Sequence, residues 1–287
     1  MSGRKPEVVP SIESLAGRYA FALFDQYGVL HDGVRAYPGA LESMRALVAA
    51  GCRCGVVTNS GKRAAANRER LARFGFDAAL LDVVVSSGEV ARALLGDRLD
   101  ELVPARVGDG PVRTYLVARG DPEGALDDLP LAPVASAADA ELVLIMGSEG
   151  DRHPRERYRE ALRPAAGRAV PALCTNPDRI MLDGRGGTAF GPGVIADDYA
   201  ALGGPVTRVG KPYPAIYRHA LRLAGVGPSA TLCVGDSVEH DVAGAAGAGC
   251  DSLLVRTGIH AGASDAELEA LFEAAGARPT WTLPARV

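Results

Sequence analysis

The sequence predicts an α/β protein: a Rossmann-like, doubly wound parallel-sheet core carrying a second, inserted α/β domain. Three observations predict it. Short apolar runs alternate with helical patterns near both ends of the chain; glycine, proline and acidic residues crowd the stretch between; and three of the apolar runs end in polar side chains.

The elements follow in order. "YAFALFD" (19–25) is strand-like, and "PGALESMRALVAAG" (38–51) places Leu41, Met44 and Val48 on one helical face, with Pro38 suited to its first turn and Gly51 to its end. "RCGVVTNS" (53–60) is a second strand with a polar end, "RAAANRERLARFG" (63–75) a helix closing at Gly75, and "DVVVSS" (82–87) repeats the strand form. Near residue 88 the texture changes, and "GDRLDELVPARVGDGP" (96–111) and "ARGDPEGALDDLPLAP" (118–133) have the composition of connecting segments. "RTYLVA", "ELVLIMG" and "AVPALCT" are the expected strands of a smaller sheet. The first alternation resumes with "VTRVGKPYPAIYRHALRLAG" (206–225) and "TLCVGDSVEHDVAGAAGAG" (231–249), whose small residues suit close helix packing. The expected domains are a core of residues 1–87 and 205–287 and an insertion of residues 88–204.

Composition narrows the function. At 287 residues, 47% hydrophobic and 23% charged, the chain is long and apolar enough for a real core and is not globally disordered. A net charge of -4 gives no electrostatic footing for a nucleic-acid partner. No run of 18 apolar residues suggests a membrane span, and the first 19 residues lack the apolar centre of a signal peptide. A cytoplasmic protein with a loose arm before its first strand is expected. Cys52, Cys54, Cys174, Cys233 and Cys250 match no zinc or redox spacing and are expected as buried, reduced thiols.

The polar strand ends carry the chemistry. Asp25 follows "FALF", Thr58 and Asn59 follow "CGVV", and Asp236 follows "TLCVG". In an open parallel sheet these ends share one crevice, where ligands bind. Asp25 and Asp236, with Asp241 five residues on, form a hard oxygen set suited to Mg²⁺. Thr58 and the amides of Asn59 and Ser60 suit phosphate oxygens, and Lys211 in "VGKPYP" offers a positive charge to Asp25 and to a transferred group. Together they describe phosphoryl transfer to an aspartate.

With these residues in order, the chain resembles the haloacid dehalogenase superfamily, whose four motifs match "DQYG", "VVTNS", "GKP" and "VGDSVEHD". The insertion resembles the α/β cap of the subgroup (subclass IIA) that contains p-nitrophenyl phosphatase and ribonucleotide monophosphatase-like proteins, with "TNPD" (175–178) similar to the cap. The likeness spans roughly residues 18–260 and specifies a chemistry class, not a substrate. It implies Asp25 as nucleophile and Mg²⁺ ligand, the backbone carbonyl of Tyr27 and the carboxylate of Asp236 as further ligands, and Asp241 as holder of a metal-bound water or of Lys211. It also implies Thr58 and Asn59 as the phosphoryl grip and a small phosphorylated metabolite as substrate. Asn176, Asp178 and Arg179 are the expected substrate readers of the cap, and a homodimer through the cap is expected by the same likeness.

The departure is Tyr27. The superfamily's phosphatases usually have a second Asp there, which protonates the leaving oxygen and then deprotonates the attacking water. Positioned acid–base groups contribute about 10² to 10⁴ in rate. Three readings stand open: Tyr27 is itself the acid; the substrate has a leaving group that needs little help, such as a phosphoramidate or pyrophosphate; or the chain binds phosphometabolites without turnover. Simple packing of the ring is the bland alternative. His31 and Asp32 are read as lining the entrance, with a solvated loop position equally open for His31.

A nicotinamide-binding enzyme is disfavoured, because the late "GAAGAG" (244–249) has reversed spacing and does not form a strand-turn-helix phosphate loop. No P-loop occurs. True dehalogenation would not require Asp241.

Overall fold

The computed structural model describes residues 5–104, 106, 108, 110–120, 127–182 and 187–283. Residues 105, 107, 109 and 121–126 of the two expected connectors lie outside the described residues. The chain divides into two compact units. One comprises Met1–Thr58, Lys62–Ser86 and Lys211–Val287, the other Asn59–Gly61 and Ser87–Gly210.

The first unit is built on a seven-stranded parallel sheet in the spatial order Glu7–Val8, Trp281–Leu283, Asp251–Val255, Thr231–Gly235, Phe21–Phe24, Arg53–Thr58 and Val83–Ser86. Its central strands are continuous apolar runs because both faces are covered. Sequence direction reverses between Phe21–Phe24 and Thr231–Gly235, which makes their carboxyl ends a topological switch point. Register then fixes what meets there. Phe24 pairs with Val234 on one side and Val56 on the other, so Asp25 lies level with Gly235, one step from Asp236, and beside the end of the Thr58 strand.

Helices Ala40–Ala49 and Ala64–Arg73 bury Met44, Leu47 and Leu71 with Phe24, Leu30, Val56 and Phe76. Each such side chain withdrawn from water contributes about 1.5–3 kcal/mol. Helix Pro214–Ala224 starts on a proline and stops at Gly225 in the left-handed conformation, φ 64°. Its Tyr217 lies against Gly244, where an added Cβ would come within 2.4 Å of the phenol oxygen. The small residues of "AGAAGAG" therefore serve close packing.

The second unit has a five-stranded parallel sheet in the order Val206–Arg208, Ala172–Cys174, Leu142–Ile145, Val112–Val117 and Leu131–Pro133, and a separate antiparallel pair, Ile180–Leu182 with Thr188–Phe190. Helices Arg155–Ala166 and Pro192–Ala201 cover it, burying Leu162, Ala165, Ile195, Ala196 and Tyr199. Asp198, 1% exposed, takes the guanidinium groups of Arg155 and Arg159.

Four expectations need correction. Val206–Arg208 pairs with Ala172–Cys174, so the expected boundary at 204/205 falls before the last strand of the inserted sheet. A three-residue strand without a strong apolar run reads the same in either sheet. The segment 96–111, read as a connector, instead carries the end of helix Ser87–Asp97 and the turn Leu99–Leu102, which bury Leu95 and Leu99. Pro38 stands outside its helix, whose cap is Gly39. The arm before the first strand is also not loose: Glu7–Val8 pairs with Trp281 and Thr282, and Ile12 and Leu15 enter the core.

Candidate active site

The first unit gathers Asp25, Lys211, Asp236 and Asp241. The Lys211 ammonium lies 2.7 Å from Asp25 Oδ1 and 2.8 Å from Asp241 Oδ1. One oxygen from each of Asp25, Asp236 and Asp241 lies within 4.8 Å of the others, and all three residues are buried. Thr58 is buried at the end of the neighbouring strand.

Local backbone holds each group. The Gln26 amide donates to Asp25 Oδ1 at 2.7 Å and the Ile259 amide to Asp236 Oδ2 at 2.7 Å. Asp241 sits on a single π-type turn, Val238–Val242, in which the amides of Asp241 and Val242 both donate to the Ser237 carbonyl. Such a wide turn is a common local device at functional sites. It brings the Asp241 carboxylate back to the strand end, where the Ser237 amide donates to Oδ2 at 3.1 Å.

Glycines make the room. A Cβ on Gly28 would come within 2.1 Å of Asp236 Oδ2, one on Gly258 within 1.9 Å of the same atom, and one on Gly235 within 2.1 Å of Asp241 Cβ. The Thr257 hydroxyl joins two of these loops by donating to the Gly28 carbonyl at 2.5 Å. Sequence reading missed Thr257, Gly258 and the Ile259 amide. The turn-like "TGIH" after a strand was their only signal.

The charges do not balance. Burial raises the Asp25 carboxyl well above the ordinary range; Lys211 opposes this, and the neighbouring Asp241 and Asp236 reinforce it. Burial, then the charge of Asp241, pushes Asp236 up to about 6. For Lys211 burial disfavours the charge, but Asp241 and Asp25 outweigh it and keep the ammonium protonated above its usual range. Three carboxylates against one ammonium leave two uncompensated negative charges when all are ionised. Buried anions of this kind need a cation. Hard oxygen donors, few in number and crowded by glycines that admit no side chain, fit a small divalent ion such as Mg²⁺.

Tyr27 and His31 stand differently. Tyr27 is 41% exposed, and its hydroxyl accepts from Arg70 Nη1 at 2.5 Å. His31 is fully buried and packs on Phe74 with ring centroids 4.6 Å apart, which overturns the solvated loop position the sequence left open for it. Burial, then the charge of Arg70, lowers it to about 4, so it is neutral. Asp32 closes a local turn by accepting from the amides of Val34 and Arg35.

The remaining expected site residues belong to the second unit. Asn59 Nδ2 donates to Asp178 Oδ1 at 2.7 Å, and the Asp178 amide to Asn176 Oδ1 at 3.0 Å. Those three come together. Ser60 accepts from the Gly88 amide through its carbonyl. Arg179, expected as a reader, pairs with Asp197, which Arg208 also holds at 2.9 Å.

This sheet, switch point and carboxylate set define a class of phosphoryl-transferring hydrolase, and comparison with known proteins agrees. Residues 22–120 match the family described as haloacid dehalogenase-like hydrolase, and residues 208–284 a second family described as HAD-hydrolase-like. The "haloacid dehalogenase-like hydrolase domain-containing protein 2" of Bos taurus is 31% identical over 85% of this chain and 86% of its own length. Among solved structures, p-nitrophenyl phosphatase from Archaeoglobus fulgidus aligns with TM-score 0.71 and 25% identity over 92% of this chain and 95% of that one. The calcium complex of glycerol phosphate phosphatase from Mycobacterium tuberculosis aligns with TM-score 0.64 and 25% identity over 87% and 68%. The chain belongs to the haloacid dehalogenase-like hydrolase family, and is an enzyme of its phosphatase branch. Among the described residues no helix is long and apolar enough to cross a membrane.

Proposed function

We propose that the chain is a cytoplasmic, Mg²⁺-dependent phosphatase that moves a phosphoryl group from a small phosphorylated metabolite to Asp25 and then to water. The observation that carries this reading is the buried Asp25–Lys211–Asp241–Asp236 cluster at the switch point. Asp25, Asp236 and the Tyr27 carbonyl are the proposed ligands of the ion, with Asp241 behind them. When bound, the ion would neutralise charge on the carboxylates and on the incoming phosphate.

Lys211 keeps one Asp25 oxygen paired, and the other carboxylate oxygen attacks phosphorus. The bond to the leaving group breaks with its electron pair on the leaving atom. Thr58, with Asn59 and Ser60, grips the phosphoryl oxygens. Water then attacks the aspartyl-phosphate, its protons leave on the product phosphate, and the Asp25 carboxylate is restored. Asn176, Asp178 and Arg179 are the proposed readers of the rest of the substrate. Because no carboxylate stands at position 27, leaving groups that depart without help, such as those of phosphoramidates and pyrophosphate, are the favoured substrates.

The test is phosphate release with Mg²⁺ from a panel of p-nitrophenyl phosphate, sugar phosphates, nucleotides, pyrophosphate and phosphoramidates, run beside Asp25→Asn. Release that disappears in the variant is expected. No release, together with metal-dependent thermal stabilisation by a phosphate compound, would instead identify a phosphometabolite-binding protein.

A further inference from the structure

Three groups hold the side chain two residues beyond Asp25. The edge of the Tyr27 ring meets His31, with centroids 4.5 Å apart and planes at 74°. Gly33 lies against the ring, where a Cβ would stand 3.1 Å from Tyr27 Cε1 on a backbone with φ 99°. Arg70 donates to the hydroxyl, and its guanidinium carbon is 5.7 Å from the ring centroid. His31 is fixed in turn, because its Nδ1 accepts from the Gly33 amide at 3.1 Å and its ring lies on Phe74.

The direction of this clamp matters. Helix Ala64–Arg73 connects two parallel strands, Arg53–Thr58 and Val83–Ser86, so it runs back from the carboxyl ends where Asp25, Thr58 and Asp236 gather. Arg70 is six residues past the helix start. At the usual rise the Arg70 Cα lies about 9 Å along the axis from that of Ala64. Phe74, under His31, caps the same far end. The Tyr27 phenol is thus tied to a side chain of this helix.

We infer that Tyr27 is a fixed wall of the phosphoryl site and not its proton donor, and that Arg70 is the positioning residue that keeps the phenol turned outward. The inference rests on the phosphatase reading and deepens it. With the phenol turned away, the electron pair of the broken bond must settle on an atom that leaves stably by itself. The substrate class is therefore a diphosphate, an acyl phosphate, or a phosphoramidate whose nitrogen already carries its proton.

The experiment measures kcat/KM with Mg²⁺ across aryl phosphates of rising leaving-group pKa, alkyl phosphates and pyrophosphate. Tyr27→Phe is expected to shift every member by one common factor, leaving the slope against leaving-group pKa and the pH profile as in the wild type. Tyr27→Asp, too short to reach Arg70, is expected to flatten the slope and raise turnover of alkyl esters by about tenfold or more. A Tyr27→Phe loss that grows with leaving-group basicity, to about 10²-fold on alkyl esters, would make the phenol the acid and overturn the inference.

A second measurement does not depend on turnover. Arg70→Gln is expected to speed hydrogen exchange of the amides of residues 28–33 by about tenfold, and Arg70→Lys to restore part of the protection. Unchanged exchange in Arg70→Gln would overturn the clamp. Retention of activity by Asp25→Asn, or a wild type that hydrolyses no member of the series, counts against the phosphatase reading, while the exchange result still judges the clamp.

Discussion

Asp25 and Asp198 are both buried carboxylates beside cations, and their surroundings push them in opposite directions. Asp198 is one acid facing two guanidinium groups. Burial favours its neutral form, but the bonds from Arg155 and Arg159 outweigh that and hold the carboxyl below the ordinary range. Asp25 is one of three acids sharing one ammonium, and its carboxyl is held well above that range. The first cluster satisfies itself. The second is left with an excess of negative charge that the fold retains and that a cation would relieve.

The largest expected effect breaks the comparison at the chemistry. Asp25→Asn should reduce phosphate release by about 10⁴-fold or more, since it removes the proposed nucleophile. Asp198→Asn should leave kcat within about twofold, because loss of a self-satisfied pair reaches stability first. Steady-state kinetics on the same substrate checks both.

Cation binding comes next. Mg²⁺ at about 100 times its dissociation constant should stabilise the wild-type fold by about 2.7 kcal/mol. Asp236→Asn should abolish most of that gain. Thermal denaturation with Mg²⁺ and with a chelator measures it, and an equal gain in the variant would remove Asp236 from the ion's site.

Stability should then change with opposite sign in the two clusters. Asp198→Asn should cost about 2 kcal/mol, a figure reduced from that of a fully buried pair because Arg155 and Arg159 are 48% and 37% exposed and recover water. Asp25→Asn in chelator should raise the melting temperature by a few degrees, about 1 kcal/mol for a protein of this size. Loss of stability in both variants would erase the distinction drawn between the clusters.

Stability should also depend on pH, and the sign follows from the two shifts. Asp236 titrates near 6 in the fold against 3.8 ordinarily, so the stability linked to it is present below about 4 and is lost as pH rises through about 6. Asp198 is lowered, so its contribution is present above the ordinary carboxylate range and is lost as pH falls through the folded value. Chelated protein should therefore lose stability between about pH 4 and 6 on account of Asp236, and Mg²⁺ should remove that slope. Chemical denaturation across this range in wild type and Asp236→Asn tests it.

Much of this was legible in the sequence because strand ends are marked by chemistry. Apolar runs that stop at Asp25, Thr58 and Asp236 declare both a buried parallel strand and the crevice beyond it, and the order of those runs placed the insertion. What stayed hidden depends on contacts distant in sequence. Val206–Arg208 could belong to either sheet until its partner was seen. His31 could be solvated until Phe74 was found beneath it. The pairing of Arg179 with Asp197 has no signal in the sequence. Gly28 and Gly258 carry no chemistry of their own, and their importance is the space they leave for Asp236.

Acid-quenched mass spectrometry of the peptide containing Asp25, taken milliseconds after mixing enzyme, Mg²⁺ and a hydrolysed substrate, tests the proposed aspartyl-phosphate most directly. This peptide is expected to gain the mass of one phosphoryl group, hydroxylamine to remove it, and Asp25→Asn never to acquire it. Full phosphate release with no phosphoryl group on Asp25 at any time, or with the group on another residue, would contradict an aspartyl-phosphate at this position.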